Sequence, residues 1–157
     1  MIVFCNTTPF IALSAIGELD LLPKLFGKIH VVAEVDAECA AGGPIIVPDL
    51  KSLSWVEIVC SEPCTNNHFL LELDRGEKYT LHMAHKMRAG LVIIDEKIGR
   101  NVAEYMGLSV IGTLGILLNA KRKELIPSFA KCVASMRDHG IHYHPALVKQ
   151  LSREAGE

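Results

Sequence analysis

The chain has 157 residues, of which 50% are hydrophobic, and its formal net charge is −2. This length suits a single domain, which we expect to span residues 1–157 and to bury a core without disulfides or a structural metal. The small net charge argues against a protein that coats nucleic acid through bulk charge, although it is compatible with a local basic groove.

The sequence has no feature that predicts export or membrane insertion. No apolar run reaches the roughly 18 residues that a membrane span requires, and residues 1–10 are typical of a strand rather than of a signal peptide. The five cysteines are odd in number and form no CxxC pair, which speaks against a disulfide framework. Because free thiols fit a reducing compartment, we expect a cytoplasmic protein.

The predicted elements alternate short β-rich runs with helices, a pattern typical of βαβ units and a parallel sheet. An apolar strand at residues 2–5 precedes a helix that a threonine caps at position 7 or 8 and that ends near residue 16. The other predicted strands cover residues 29–32, 55–59, 91–94 and 109–111. The other predicted helices cover residues 19–26, 33–41, 75–88, 96–106, 114–123, 127–138 and 145–155, and residues 60–67 form a loop.

Polar side chains gather where predicted strands end or where adjoining helices begin. These positions are Asn6, Glu38, Asp74, Glu77, Asp95 and Glu96. Ligands of open α/β sheets bind beyond the carboxyl ends of the strands. Carboxylates that converge there repel one another, and hard oxygen ligands suit Mg²⁺ or Mn²⁺. The joint placement therefore indicates a cation site at this edge.

Each acid also has an explanation that involves no ligand. Asp74 and Glu77 begin a helix, where acids cap the first turn and offset the helix dipole. Asp95 can be the N-cap of the helix that follows it, and Glu38 can lie on a solvated helix face. The set as a whole is therefore stronger evidence for a site than any one member.

Five segments in order carry a resemblance to a known family: residues 6–13, 35–38, 73–77, 94–96 together with Arg100, and 111–117. They resemble the PIN-domain superfamily, which includes toxin nucleases of the VapC type. The resemblance is closest to a subgroup of predicted nucleic-acid-binding PIN proteins. It implies a three-layer α/β/α fold with a central, mainly parallel sheet of about five strands. It also implies pairing into a homodimer.

The resemblance further implies a metal site of three or four acids that holds Mg²⁺ or Mn²⁺. Glu38, Glu77 and Asp95 match the family acids and are the expected catalytic residues and metal ligands, with Asp74 as the alternative to Glu77. Asn6, a further expected ligand, stands where the family usually has aspartate. The amide oxygen of asparagine can also bind a cation, but the site then has one negative charge fewer than with aspartate.

Three further residues are expected to contact the substrate. Thr7 or Thr8 matches the hydroxyl that usually accompanies the first family acid. Arg100 lies one turn into the helix after Asp95, where it can bind a phosphate, pin an acid or form a surface ion pair.

The function that the resemblance implies is a metal-dependent endoribonuclease acting on single-stranded RNA, the toxin that pairs with an antitoxin protein. The alternative is a PIN-fold module, weakened at Asn6, that binds RNA or a protein partner without cutting. A receiver-like domain is disfavoured because no paired acids follow the first strand.

Two other features bear on partners and metals. The apolar stretch at residues 114–118 holds more hydrophobic side chains than a small domain easily covers, which supports the expected homodimer. His139, His142 and His144 surround Gly140 in an expected exposed loop, where adventitious metal binding is compatible with their spacing.

Overall fold

A computed structural model of the chain describes residues 1–64, 70 and 72–157. In this part of the chain five strands form one sheet in the order β3-β2-β1-β4-β5, and every neighbouring pair is parallel. The strands are β1 (Val3–Cys5), β2 (Ile29–Val32), β3 (Val56–Val59), β4 (Leu91–Ile93) and β5 (Val110–Ile111). Because all run the same way, their carboxyl ends lie along one edge of the sheet, which we call the carboxyl edge.

Helices flank the sheet on both sides. Within the described residues they are α1 (Thr7–Ala15), α2 (Leu21–Phe26), α3 (Ala33–Ala41), α4 (Arg75–Lys86), α5 (Lys97–Tyr105), α6 (Thr113–Arg122), α7 (Phe129–Asp138) and α8 (Pro145–Glu154), with a 3-10 turn at Leu50–Ser52. All residues of β1 and β2 are buried. Successive side chains of a strand point to opposite faces, so helices must cover both faces of these central strands. The predicted three-layer α/β/α fold is confirmed.

The observed bounds of most strands and helices differ from the predicted bounds by one or two residues, as expected where helix ends fray. The start of α1 differs in a way that matters for the site. Asn6, not a threonine, occupies the N-cap position, and its side chain makes no capping hydrogen bond. The predicted threonine cap is therefore wrong. The predicted loop at residues 60–67 lies partly outside the described residues.

The apolar residues of α6 belong to the core of the chain itself. Leu114, Ile116, Leu117 and Leu118 are all buried, because α6 packs against α1, α2, α7 and α8. The expectation that this stretch needs a second chain to cover it is therefore wrong, and the homodimer loses that support. None of the described helices is long and apolar enough to cross a membrane.

Candidate functional site

Asn6 directly follows the carboxyl end of β1, the central strand, which pairs with β2 on one side and β4 on the other. Its backbone N–H donates a hydrogen bond of 2.9 Å to the carbonyl oxygen of Ile93, so its position is fixed by the sheet. The residue is only 3% exposed. Its side-chain oxygen, Oδ1, is buried and accepts no hydrogen bond from any described residue. A buried acceptor without a donor is costly and calls for an explanation.

Glu38 reaches the same edge from the second turn of α3. The hydroxyl of Thr7, the residue after Asn6, donates a hydrogen bond to the Glu38 carboxylate. On its other side the carboxylate lies against Gly76 of α4. A Cβ at Gly76 would stand 2.6 Å from Oε1 and 2.9 Å from Oε2 of Glu38. The missing side chain of Gly76 therefore makes room for Glu38 over the first turn of α4.

Glu77 is held beside Glu38 by the start of α4. The Oδ1 atom of Asp74 accepts the backbone N–H of Glu77 at 2.8 Å, so Asp74 performs the capping role that its position suggested. Glu77 itself is 7% exposed. Its Oε2 lies 3.4 Å from the point where a Cβ on Gly99 of α5 would be. Dipole compensation alone does not explain an acid buried between two helices.

The environment of Glu77 is unfavourable to negative charge. Burial, followed by the charge and hydrogen bond of Asp74 and by the charges of Glu96 and Glu38, raises the pKa of Glu77 from 4.5 to about 7. The carboxylates therefore repel one another, and an added positive charge would favour the ionised form of Glu77.

Asp95 follows β4 at the same edge, but its carboxylate is turned toward α6. Its Oδ1 accepts the backbone N–H of Thr113 and its Oδ2 accepts the Thr113 hydroxyl, each at 2.7 Å. Asp95 thus caps α6 through a tertiary contact, while Glu96 occupies the N-cap position of α5. The alternative explanation of Asp95, as the N-cap of the helix that directly follows it, is therefore wrong. Arg100 lies next to it, since its Nη1 and Asp95 Oδ1 both approach Gly112.

Tyr143, in the segment between α7 and α8, was not among the predicted site residues. Its hydroxyl is buried, and burial followed by the charge of Asp95 raises the Tyr143 pKa, with Thr113 also close to the hydroxyl. No local pattern in the sequence distinguishes this tyrosine, because its neighbour at the site is remote in the chain.

The histidines around Tyr143 have separate roles. The His144 ring Nδ1 accepts the backbone N–H of Ala146 at 3.1 Å and so caps α8. The His139 ring Nδ1 lies 2.8 Å from the carbonyl oxygen of Ser135. These contacts explain two of the three histidines without a metal.

The sequence model of the PIN-domain family matches residues 2–157. The chain belongs to the PIN-domain family. The resemblance stated from the five segments is confirmed at the level of the superfamily. No curated protein and no solved structure matches the chain significantly. A PIN domain is a nuclease-type fold, and PIN domains generally use divalent metal ions and bind nucleic acid.

The carboxyl edge of this PIN domain carries all four predicted metal ligands, but their side chains form two groups. Glu38 and Glu77 form one group around Gly76, and Thr7 connects Glu38 to the neighbouring residue Asn6. Asp95 forms the other, with both oxygens on Thr113. Consistent with this division, no group of three or more His, Cys, Asp or Glu side chains among the described residues is arranged to hold a metal ion.

The chemistry of the first group nevertheless fits a hard divalent cation. The unpaired Oδ1 of Asn6 and the carboxylates of Glu38 and Glu77 are the oxygen donors that Mg²⁺ and Mn²⁺ prefer. Thr8, the remaining predicted contact residue, is partly buried in the first turn of α1.

Proposed function

We propose that this PIN domain is a divalent-metal-dependent endoribonuclease that cuts single-stranded RNA. One observation carries the proposal. The amide oxygen of Asn6 is buried and unpaired at the carboxyl edge, the following residue Thr7 is hydrogen-bonded to Glu38, and Glu38 and Glu77 are held close enough to repel one another. A bound divalent cation would both pair with the amide oxygen and offset the repulsion between the two acids.

In this proposal Asn6, Glu38 and Glu77 hold Mg²⁺ or Mn²⁺. When bound, such a cation supplies an activated water and offsets charge at the phosphate under attack. The protein orients the ligands through its own contacts. Thr7 fixes the Glu38 carboxylate by its hydrogen bond, and the Asp74 cap fixes the backbone of Glu77.

Asp95 and Arg100 have distinct roles in the proposal. Arg100, beside Gly112, carries a guanidinium that can bind a phosphate oxygen of the substrate. Asp95 holds the start of α6, and it would be free to bind a metal as a further ligand only if it released Thr113. The choice of RNA, and of single strands, is supported by the resemblance to VapC-type toxins.

A cleavage assay with a fluorogenic single-stranded RNA tests the proposal. We expect cleavage that depends on Mn²⁺ and that falls about 100-fold in Glu38→Gln and Glu77→Gln, because the metal contributes several kcal/mol to the transition state. Glu104→Gln is the matched control, since Glu104 is an exposed acid of α5 away from the edge. Wild-type rates in Glu77→Gln, or cleavage that survives EDTA, would contradict the proposal.

A second function has support of its own. Asn6 supplies no charge at the usual position of the first acid, and Asp95 uses both oxygens on Thr113. These features favour a module that binds RNA or a protein partner without cutting. RNA binding by the wild type, without Mn²⁺-dependent cleavage in either the wild type or Asn6→Asp, would favour this function.

The toxin role and the assembly are part of the same proposal. We expect expression of the wild type to arrest growth, Glu77→Gln to be tolerated, and a small antitoxin protein encoded beside this gene to relieve the arrest. We also expect a homodimer, which light scattering at micromolar concentration tests. Tolerated expression of active wild type would remove the toxin role while leaving the nuclease in place.

A further inference from the structure

A cavity of about 350 Å³ lies between α7, α8 and the segment that joins them. Its size is within the range of pockets that bind small ligands. The floor is apolar and includes Val133 of α7, Val148 of α8 and the ring of Tyr143. A floor of this kind suits a flat, largely apolar group such as a nucleobase, which stacks readily on aromatic rings.

The rim of this cavity is basic. Arg137, His142 and Lys149 line it, and none of the described residues that line it is acidic. All three are exposed to solvent. Among the described residues neither Arg137 nor Lys149 has an ion-pair partner. In a chain of net charge −2, two unpaired cations over an apolar floor are complementary to an anion with an apolar part.

The cavity is connected to the carboxyl edge through one side chain. Tyr143 contributes to the floor, and its buried hydroxyl lies close to Asp95 and Thr113. A ligand in the cavity therefore lies on the Asp95 side of the candidate active site. Neither Glu38 nor Glu77, whose negative charge repels phosphate, lines the cavity.

We propose that this cavity binds one nucleotide of a single-stranded RNA, with the base on the apolar floor and the phosphate at Arg137 and Lys149. The inference rests on the proposed function and extends it by naming the surface that retains the substrate. A base within a duplex is stacked and paired, so only an unpaired nucleotide can enter. The basic rim also supplies the attraction that the acidic edge lacks.

The test is the affinity of a short fluorescein-labelled single-stranded RNA, measured by anisotropy over a range of salt concentrations in EDTA, so that no cleavage occurs. The variants are Arg137→Gln with Lys149→Gln, and Val148→Asp, which places a charge in the floor. The matched control is Lys24→Gln with Lys131→Gln, which removes two exposed lysines outside the cavity. Thermal unfolding checks that each variant is folded, and Mn²⁺-dependent cleavage is followed separately.

We expect the Arg137/Lys149 variant to bind RNA about tenfold more weakly and to lower the slope of log affinity against log salt by about 0.7, because the contact to one phosphate of a single strand is lost. Val148→Asp should weaken binding similarly, and the control should bind as wild type does. Unchanged affinity in the Arg137/Lys149 variant would overturn the inference while leaving the nuclease proposal intact. Direct binding of a fluorescein-labelled acidic peptide by a wild type that does not bind RNA would overturn it in favour of a protein partner. A wild type that neither binds nor cleaves RNA would overturn both proposals.

Discussion

Replacing Glu77 with glutamine keeps the size of the side chain and removes its charge at every pH. Burial, and then the neighbouring Asp74, raise the pKa of Glu77 from 4.5 to about 7, so folding favours the protonated acid. The stabilising contribution of this group is complete below pH 4.5 and is lost as the pH rises through about 7. Glu77→Gln should therefore become the more stable protein as the pH rises.

The raised pKa of Glu77 gives an upper bound for the difference in stability between the wild type and Glu77→Gln. A pKa that rises from 4.5 to about 7 corresponds to at most about 3 kcal/mol of unfolding free energy, at about 1.4 kcal/mol per pH unit. Solvent at the carboxyl edge screens part of the interaction. We therefore expect the wild type to lose about 1 to 2 kcal/mol relative to Glu77→Gln between about pH 5 and about pH 8.

Urea unfolding in EDTA, followed by the fluorescence of the single tryptophan, Trp55, measures this difference at each pH. Glu104→Gln, on the exposed face of α5, should follow the wild type throughout. Adding Mn²⁺ at about pH 8 should stabilise the wild type and not Glu77→Gln, because ligand bound to the folded state raises its stability. A difference between wild type and Glu77→Gln that stays constant with pH would refute the reasoning.

Three further substitutions have defined outcomes. Asn6→Asp adds a charge worth about 4 kcal/mol at about 4 Å from a cation. Desolvation and repulsion from the other acids cancel most of it, so calorimetry should show about tenfold tighter Mn²⁺ binding. Gly76→Ala places a Cβ 2.6 Å from Glu38 Oε1, so it should displace that carboxylate and weaken Mn²⁺ binding. Glu157→Ala removes the carboxylate that accepts the N–H groups of Phe129 (2.6 Å) and Ala130 (3.2 Å) at the start of α7, at a cost of about 1 kcal/mol in urea unfolding.

Controls and contrary results follow from the same contacts. If Asn6→Asp leaves Mn²⁺ affinity unchanged in a folded protein, position 6 is not a ligand. Gly43→Ala is the control for Gly76→Ala, because a Cβ at Gly43 meets nothing within 4 Å. The hydrogen bond from Ser128 and those from the backbone lower the pKa of Glu157. The cost of Glu157→Ala should therefore be full near neutral pH and fade as the pH falls below 4.5. A cost that is independent of pH would exclude the charged cap.

The sequence predicts the sheet and its helices well because strands that are buried on both faces consist of apolar residues only. The runs at β1 and β4 are apolar throughout, and helices lie between them, so the parallel sheet follows from simple rules. Asn6 and Asp95 are placed at the carboxyl edge by the same rules, since each follows the end of a strand. The positions of these two residues in the fold can therefore be predicted from secondary-structure propensity and hydrophobic periodicity.

Side-chain partners are harder to predict because they depend on tertiary contacts. Asp95 is a plausible cap for the helix beside it, yet it caps α6, whose first residue is Thr113. Glu77 lies beside Gly99 of α5, where an added Cβ would stand 2.6 Å from Ile94 Cδ1 and 3.4 Å from Glu77 Oε2. A glycine inside a helix is unfavourable without a reason, so Gly76 and Gly99 are the signals in the sequence that indicate such close approaches. Tyr143 offers no comparable signal.

The two hydrogen bonds from Thr113 to Asp95 hold the start of α6 in place. Thr113 is fully buried, so its amide and hydroxyl lose their acceptors when Asp95 turns away, at a cost of about 1 to 3 kcal/mol for each unpaired group. If Asp95 were to bind a cation, these hydrogen bonds would first have to break, and the apparent affinity would be lowered by that cost. The hydrogen-exchange rate of the Thr113 amide reports whether its hydrogen bond to Asp95 is formed or broken, and it can be measured without substrate.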